Sequence, residues 1–159
     1  MPEFQGQLRA TGRLAIVVSQ YNERVTGKLL EGAVACAREA RIAEAAVDVV
    51  WVPGAFELPG VASALAGTGK YTAIVCLGAV IRGETAHFDF VAGEAARGIN
   101  EVAVRTGIPV AFGVLTTETM DQALARAGGT AGNKGHEAAE AAIRSADVVA
   151  QIRKHHAAS

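Results

Sequence analysis

Residues 73–87 read AIVCLGAVIRGETAH, and this stretch decides the fold. Residues 73–81 carry no polar side chain, far short of the roughly 18 apolar residues of a membrane span. They have the length of a strand buried on both faces. A polar turn at 82–87 follows, and then Val91, Ala95, Ile99 and Val102 recur at helical spacing. A strand that is apolar throughout and leads into a helix belongs to a parallel sheet with helices covering it.

The pattern repeats on both sides of this stretch. LAIVVS (14–19) is a short β-branched run, followed by Val25, Leu29, Ala33, Cys36 and Ala40 at spacings of three and four. VDVVWV (47–52) reads as a second buried strand closed by Pro53-Gly54. A short helix is expected over 57–66, with Pro59 tolerated in its first turn. IPVAFGVL (108–115) is the fourth strand. One further helix starts near Thr119, with Gln122 as its capping-box partner. The last runs from Asn133 to about Lys154, with Ala139, Ala142, Ile143, Ala146 and Val149 facing inward. The expectation is one domain over 1–159, a three-layer α/β/α fold. Residues 1–12 form an N-terminal arm and 155–159 a frayed tail.

Composition narrows the function classes. Fifteen Lys and Arg against sixteen Asp and Glu give a net charge of -1, which leaves no basic footprint for nucleic acid. With 50% hydrophobic residues there is ample core for one domain. Thirty-three alanines and 18 glycines favour close helix packing, on the sheet or against neighbouring subunits. Cys36 and Cys76 sit inside apolar runs without metal-ligand spacing, so buried thiols and no metal are expected. The first residues contain no secretory h-region and no stretch is a membrane span, so a cytoplasmic protein with no membrane partner is expected.

Ligands of such sheets bind beyond the carboxyl ends of the strands. Polar residues concentrate there: Gln20-Tyr21-Asn22, then 53–57 (PGAFE), then 82–87 (RGETAH), then Thr116-Thr117. His87 stands out as a proton-transfer group at the mouth of the sheet, or alternatively as a helix cap or a partner of Asp89. Gly83, Glu84 and Thr85 offer N–H groups and a hydroxyl to an anion at a helix start, or form an ordinary turn. Glu57 either complements the helix dipole or accepts hydrogen bonds from a ligand ring. Phe56 and Tyr21 are core residues or stack on that ring. Arg126 and Lys134 flank AGGTAGNKG, as phosphate ligands or as solvated charges.

Several motifs fail. Gly67-Thr68-Gly69-Lys70 has Ala64 where a P-loop needs glycine and Tyr71 where it needs Ser or Thr. No Gly-rich dinucleotide turn follows the first strand, and His87 with Asp89 lacks a third metal ligand. What remains is a cofactor-free reaction driven by proton transfer and positioning.

At these loops the sequence resembles the lumazine synthase family, which catalyses the penultimate step of riboflavin biosynthesis. The resemblance rests on PGAFELP (53–59), GAVIRGETAHFDF (78–90), FGVLTTETMDQALARAG (112–128) and GNKGHEAAEAA (132–142). It implies a flavodoxin-like four-stranded parallel sheet and a condensation of 5-amino-6-(D-ribitylamino)uracil with 3,4-dihydroxy-2-butanone 4-phosphate, giving 6,7-dimethyl-8-ribityllumazine, phosphate and water. By position, Tyr21, Ala55, Phe56, Glu57, Ala79, Val80 and Ile81 correspond to the aminopyrimidine site, closed by Phe112 of the adjoining subunit. Glu84 and Thr85, with the neighbour's Arg126, correspond to the phosphate site. His87 is similar to the family's proton-transfer residue, and Lys134 and Glu137 to a charged pair near the phosphate. Tyr21 stands where Phe or Trp is more usual, and Ala86 where Pro is frequent.

The resemblance also implies a homopentamer with active sites between adjacent subunits. The uninserted turn at 128–135 leads us to expect closure of twelve pentamers into an icosahedral 60-mer. The arm, anchored by Phe4 and Leu8, is expected to add as an edge strand to a neighbour's sheet. Two other classes fit the fold: a non-enzymatic flavin- or pterin-binding module, and an archaeal-type riboflavin synthase acting on two lumazine molecules. A purely structural shell protein is a further reading, opposed by the polar rim.

Overall fold

In the computed structural model, which describes residues 1–158, the four apolar runs are parallel strands of one sheet. They are β1 (Arg13–Ser19), β2 (Val47–Val52), β3 (Tyr71–Ile81) and β4 (Val110–Thr117), in the order β2-β1-β3-β4. The helices between them are α1 (Glu23–Glu39), α2 (Leu58–Gly67) and α3 (His87–Thr106); α4 (Met120–Ala125) and α5 (Lys134–Ala157) follow β4.

Alternation along the strands assigns the layers. Leu14, Ile16 and Val18 of β1 with Val75 and Leu77 of β3 pack on Leu29 and Ala33 of α1 and on Ala139 and Ile143 of α5. Ala15, Val17, Ile74 and Cys76 point the other way, onto Leu58 and Ala62 of α2 and Ala95 and Ile99 of α3. The result is the expected three-layer α/β/α, flavodoxin-like arrangement. Pro59 falls in the first turn of α2, and Thr119 and Gln122 form the capping box that opens α4.

Four details differ from the sequence reading. β2 is an edge strand, and Val49 and Trp51 are 41% and 39% exposed in the single chain; Val49 lies in a shallow cleft beside Val34, Ala37 and Arg38 of α1 rather than in the core. β4 begins two residues later than expected and includes Thr116 and Thr117. The glycine-rich turn contains a two-stranded hairpin, β5 (Ala127–Gly129) with β6 (Gly132–Asn133), made possible by positive φ at Gly128 and Gly132. The tail at 155–159 is not frayed as far as Ala157: α5 continues to that residue, and His155 meets the Phe4 ring edge-on at 5.4 Å.

The N-terminal arm has no strand in the single chain and lies along α5. The fully buried Asp147 carboxylate accepts from the Gln7 N–H (2.8 Å), Arg9 Nε (2.6 Å) and Gln151 Nε2 (2.9 Å). Arg144 and Gln151 donate to the carbonyls of Gly6 and Gln5. Leu8 packs against the α1/α5 core. Burial pushes the Asp147 carboxyl up, but the three donors outweigh it and hold it below its ordinary value of 3.8.

Candidate functional site

In the order β2-β1-β3-β4 the chain reverses direction across the sheet between β1 and β3, and the loops leaving those strands part there. A cleft of about 720 Å³ opens at that point. Tyr21 follows β1, and its N–H donates to the Pro53 carbonyl at 3.0 Å, joining the first two loops. Asn22 takes the left-handed conformation (φ 63) and donates from Nδ2 to the Ala79 carbonyl at 3.0 Å, which joins the first and third. Residues Ala55–Glu57 form a 3₁₀ turn between β2 and α2.

The walls are Tyr21, Ala55, Phe56 and Glu57, the strand end Ala79, Val80 and Ile81, and then Gly83, Thr85 and His87. Tyr21 and Phe56 are 73% and 59% exposed, so neither is a core residue, and both line the cleft. His87 is the first residue of α3, and its N–H lies 3.4 Å from Thr85 Oγ1. Asp89 does not serve His87: its carboxylate lies 3.5 Å from Arg82, whose guanidinium also bonds Glu118 at 2.9 Å and stacks 4.4 Å above the Phe88 ring. Arg82 is thereby committed to tying the β3 loop to the end of β4. Glu84 is exposed in the same loop but does not line the cleft.

Phe88, Phe90 and Val91 complete the walls, although the sequence reading assigns none of them to the site. Val91 belongs to the inward stripe of α3, whereas Phe90, 70% exposed, stands off it. An aromatic off the stripe, in the first turn of a helix at the strand-end rim, was the available signal.

Phe112, Arg126, Lys134 and Glu137 are elsewhere. They line a second cleft of about 410 Å³ at β4, with residues 114–117 and Ala131. The hairpin explains the grouping: Arg126 precedes β5, Lys134 follows β6, and the Lys134 N–H bonds the Arg126 carbonyl at 2.8 Å. Arg126 NH1 also donates to the Gln122 carbonyl at 3.1 Å. Two cations and a carboxylate therefore line one cleft together with Phe112. No residue lines both clefts.

Residues 11–150 match the family described as 6,7-dimethyl-8-ribityllumazine synthase. The chain belongs to that family. Lumazine synthases are enzymes of riboflavin biosynthesis, and the match covers all four strands and every residue that lines the two clefts. No helix of the chain, among the described residues, is long and apolar enough to cross a membrane. In its larger cleft no group of three His, Cys, Asp or Glu side chains is arranged to ligate a metal among the described residues; such a cluster, Cys36, Glu39 and His136, lies at the α1/α5 seam.

Proposed function

We propose that the protein condenses 5-amino-6-(D-ribitylamino)uracil with 3,4-dihydroxy-2-butanone 4-phosphate in the cytoplasm, releasing 6,7-dimethyl-8-ribityllumazine, phosphate and water. The pyrimidine ring stacks between Tyr21 and Phe56, with the main chain of 79–81 along its edge and Glu57 accepting from the ribityl hydroxyls. Thr85 and the loop N–H groups, with Glu84 at its rim, meet the four-carbon substrate beside His87.

The chemistry fits these groups. The ring amine attacks the ketone, the carbinolamine loses water, phosphate leaves, and closure of the second ring expels another water. Each step moves a proton or eliminates a leaving group. His87 carries protons between these stages and adds about 10²–10⁴-fold. Holding two substrates in register supplies more, since well-oriented reactions reach effective molarities of about 10⁵ M or above.

One observation carries this reading: Tyr21, Phe56, Glu57 and His87 line one cleft, while Arg126 and Lys134 line another on the same chain. Arg126 and His87 line separate clefts on one copy, which supports a working site that joins the first cleft of one subunit to the second cleft of the next. Two different patches meeting head to tail generate a ring when the rotation between subunits closes. The pentamer fits that requirement, and the short uninserted turn at 128–135 is compatible with further closure to 60 subunits.

The deciding experiment mixes both substrates with the protein and follows the fluorescent product. Turnover supports the condensation. Ligand binding without turnover favours a flavin- or pterin-binding module, and product formed from lumazine alone favours a riboflavin synthase.

A further inference from the structure

Cys36 and Glu39 lie one turn apart on α1, on one face of the helix. His136, at the start of α5, meets them across the seam, with Nε2 2.8 Å from Glu39 Oε2. Cys36 Sγ, a Glu39 oxygen and a His136 ring nitrogen all lie within 4.8 Å of one another. The sequence gives no metal-ligand spacing for Cys36, because its partner imidazole is a hundred residues away in the chain.

A second, independent feature holds this seam in place. Gly135 has no side chain, and a Cβ there would stand 2.0 Å from the Leu29 carbonyl oxygen, so α1 and α5 approach at backbone contact. Asn133 fastens the start of α5 to α1. Its Oδ1 accepts from the Gly135 N–H (2.8 Å) and the His136 N–H (3.1 Å), while its Nδ2 donates to the Lys28 carbonyl (3.0 Å). His136 is thus presented to the thiol by backbone that is already fixed.

We propose that Cys36, Glu39 and His136 form a binding site for a thiophilic divalent cation of the zinc class, clamping α1 to α5. A thiolate, an imidazole and a carboxylate are the ligand types zinc accepts, and the soft sulfur disfavours magnesium and calcium. The thiolate and carboxylate together neutralise the dication. Zinc bonds of about 2.0–2.3 Å require the three donors to draw in by roughly an ångström. The side chains can supply that, since Glu39 and His136 are 55% and 31% exposed. Water takes the fourth position.

On binding, the Cys36 thiol releases its proton to solvent, and the His136 Nε2 proton that faces Glu39 gives way to the Nδ1–H tautomer by exchange with solvent, which frees the Nε2 lone pair for the metal. Because the thiol must lose its proton to become a ligand, metal uptake strengthens as pH rises. None of the three residues lines either cleft, so the clamp stands apart from the condensation.

The test is titration of chelator-stripped protein with Co²⁺ alone, in a His155→Ala, His156→Ala background that removes the tail imidazoles. The expected result is one Co²⁺ per chain with a near-ultraviolet thiolate-to-cobalt band, retained in Cys76→Ala and absent in Cys36→Ala. His136→Gln and Glu39→Gln, both at the solvent edge, should each weaken binding by at least about tenfold; they carry the test if Cys36→Ala does not fold. Binding without the band, a band that survives Cys36→Ala, or no Co²⁺ retained at millimolar concentration overturns the proposal.

Discussion

Asn22 Nδ2 donates to the Ala79 carbonyl at 3.0 Å, and this bond joins the loop after β1 to the last turn of β3. It fixes Tyr21 opposite the 79–81 strand end across the cleft, at the point where the sheet order reverses. Asn22 also occupies the left-handed region, which Asn tolerates better than most residues. Asn22→Gly keeps the backbone but loses the bond, costing about 1 kcal/mol. Asn22→Ala adds a backbone penalty of about 1–2 kcal/mol. Urea denaturation should order the two variants that way, and the aminopyrimidine KM should rise in both.

His87 assists a reaction that positioning already promotes. His87→Ala should lower kcat by no more than about 10²–10⁴-fold, with residual condensation and little change in KM. Steady-state kinetics on the folded variant checks this; complete loss of turnover contradicts the division of labour.

Arg126→Gln removes a cation from the second cleft and leaves the first untouched. The KM for the phosphorylated substrate should rise, with the aminopyrimidine KM nearly constant. An unchanged phosphate-substrate KM would put the phosphate elsewhere.

Asp147 ties the arm to α5 and is held below its ordinary value of 3.8. A depressed carboxyl contributes stability that is complete above the unfolded-state value and lost as pH falls through the lower, folded one. Arm docking should therefore persist at neutral pH and weaken below about pH 4. Asp147→Asn should cost about 1.5–3 kcal/mol at pH 7 and flatten that acid dependence. Denaturant titrations at several pH values, with hydrogen exchange at Gln7, measure both.

Gly135 is a second stability test. In an ordinary helix, Gly→Ala gains about 1 kcal/mol. Here the new methyl meets a rigid carbonyl, and overpacking of that kind costs about 1–3 kcal/mol. The clash should win, so Gly135→Ala should unfold at lower urea than the parent; a more stable variant contradicts the close α1/α5 contact.

Periodicity located the strands and helices because burial on both faces leaves continuous apolar runs. It could not show that β2 is an edge, since VDVVWV reads the same whether Trp51 is covered or exposed. The hairpin at 127–133 was hidden by glycines, which carry no pattern, although it brings Arg126 and Lys134 together. Strand-end placement found most of the larger cleft, from Tyr21 to His87. It missed Phe90, which a helical reading assigns to solvent. Arg82, prominent in the rim sequence, is committed to Asp89, Glu118 and Phe88. The Cys36, Glu39 and His136 cluster needed the tertiary fold, because helix pairing alone brings α1 and α5 together.

Mixing two crippled variants tests the shared site most directly. His87→Ala and Arg126→Gln chains, unfolded together and reassembled at equal ratio, place an intact His87 cleft beside an intact Arg126 cleft in about one quarter of randomly formed head-to-tail contacts. Assayed at low phosphorylated substrate, the mixture should recover activity toward about a quarter of the parent's, well above either variant alone. Activity no greater than the average of the two separate variants would mean that each chain carries a complete site.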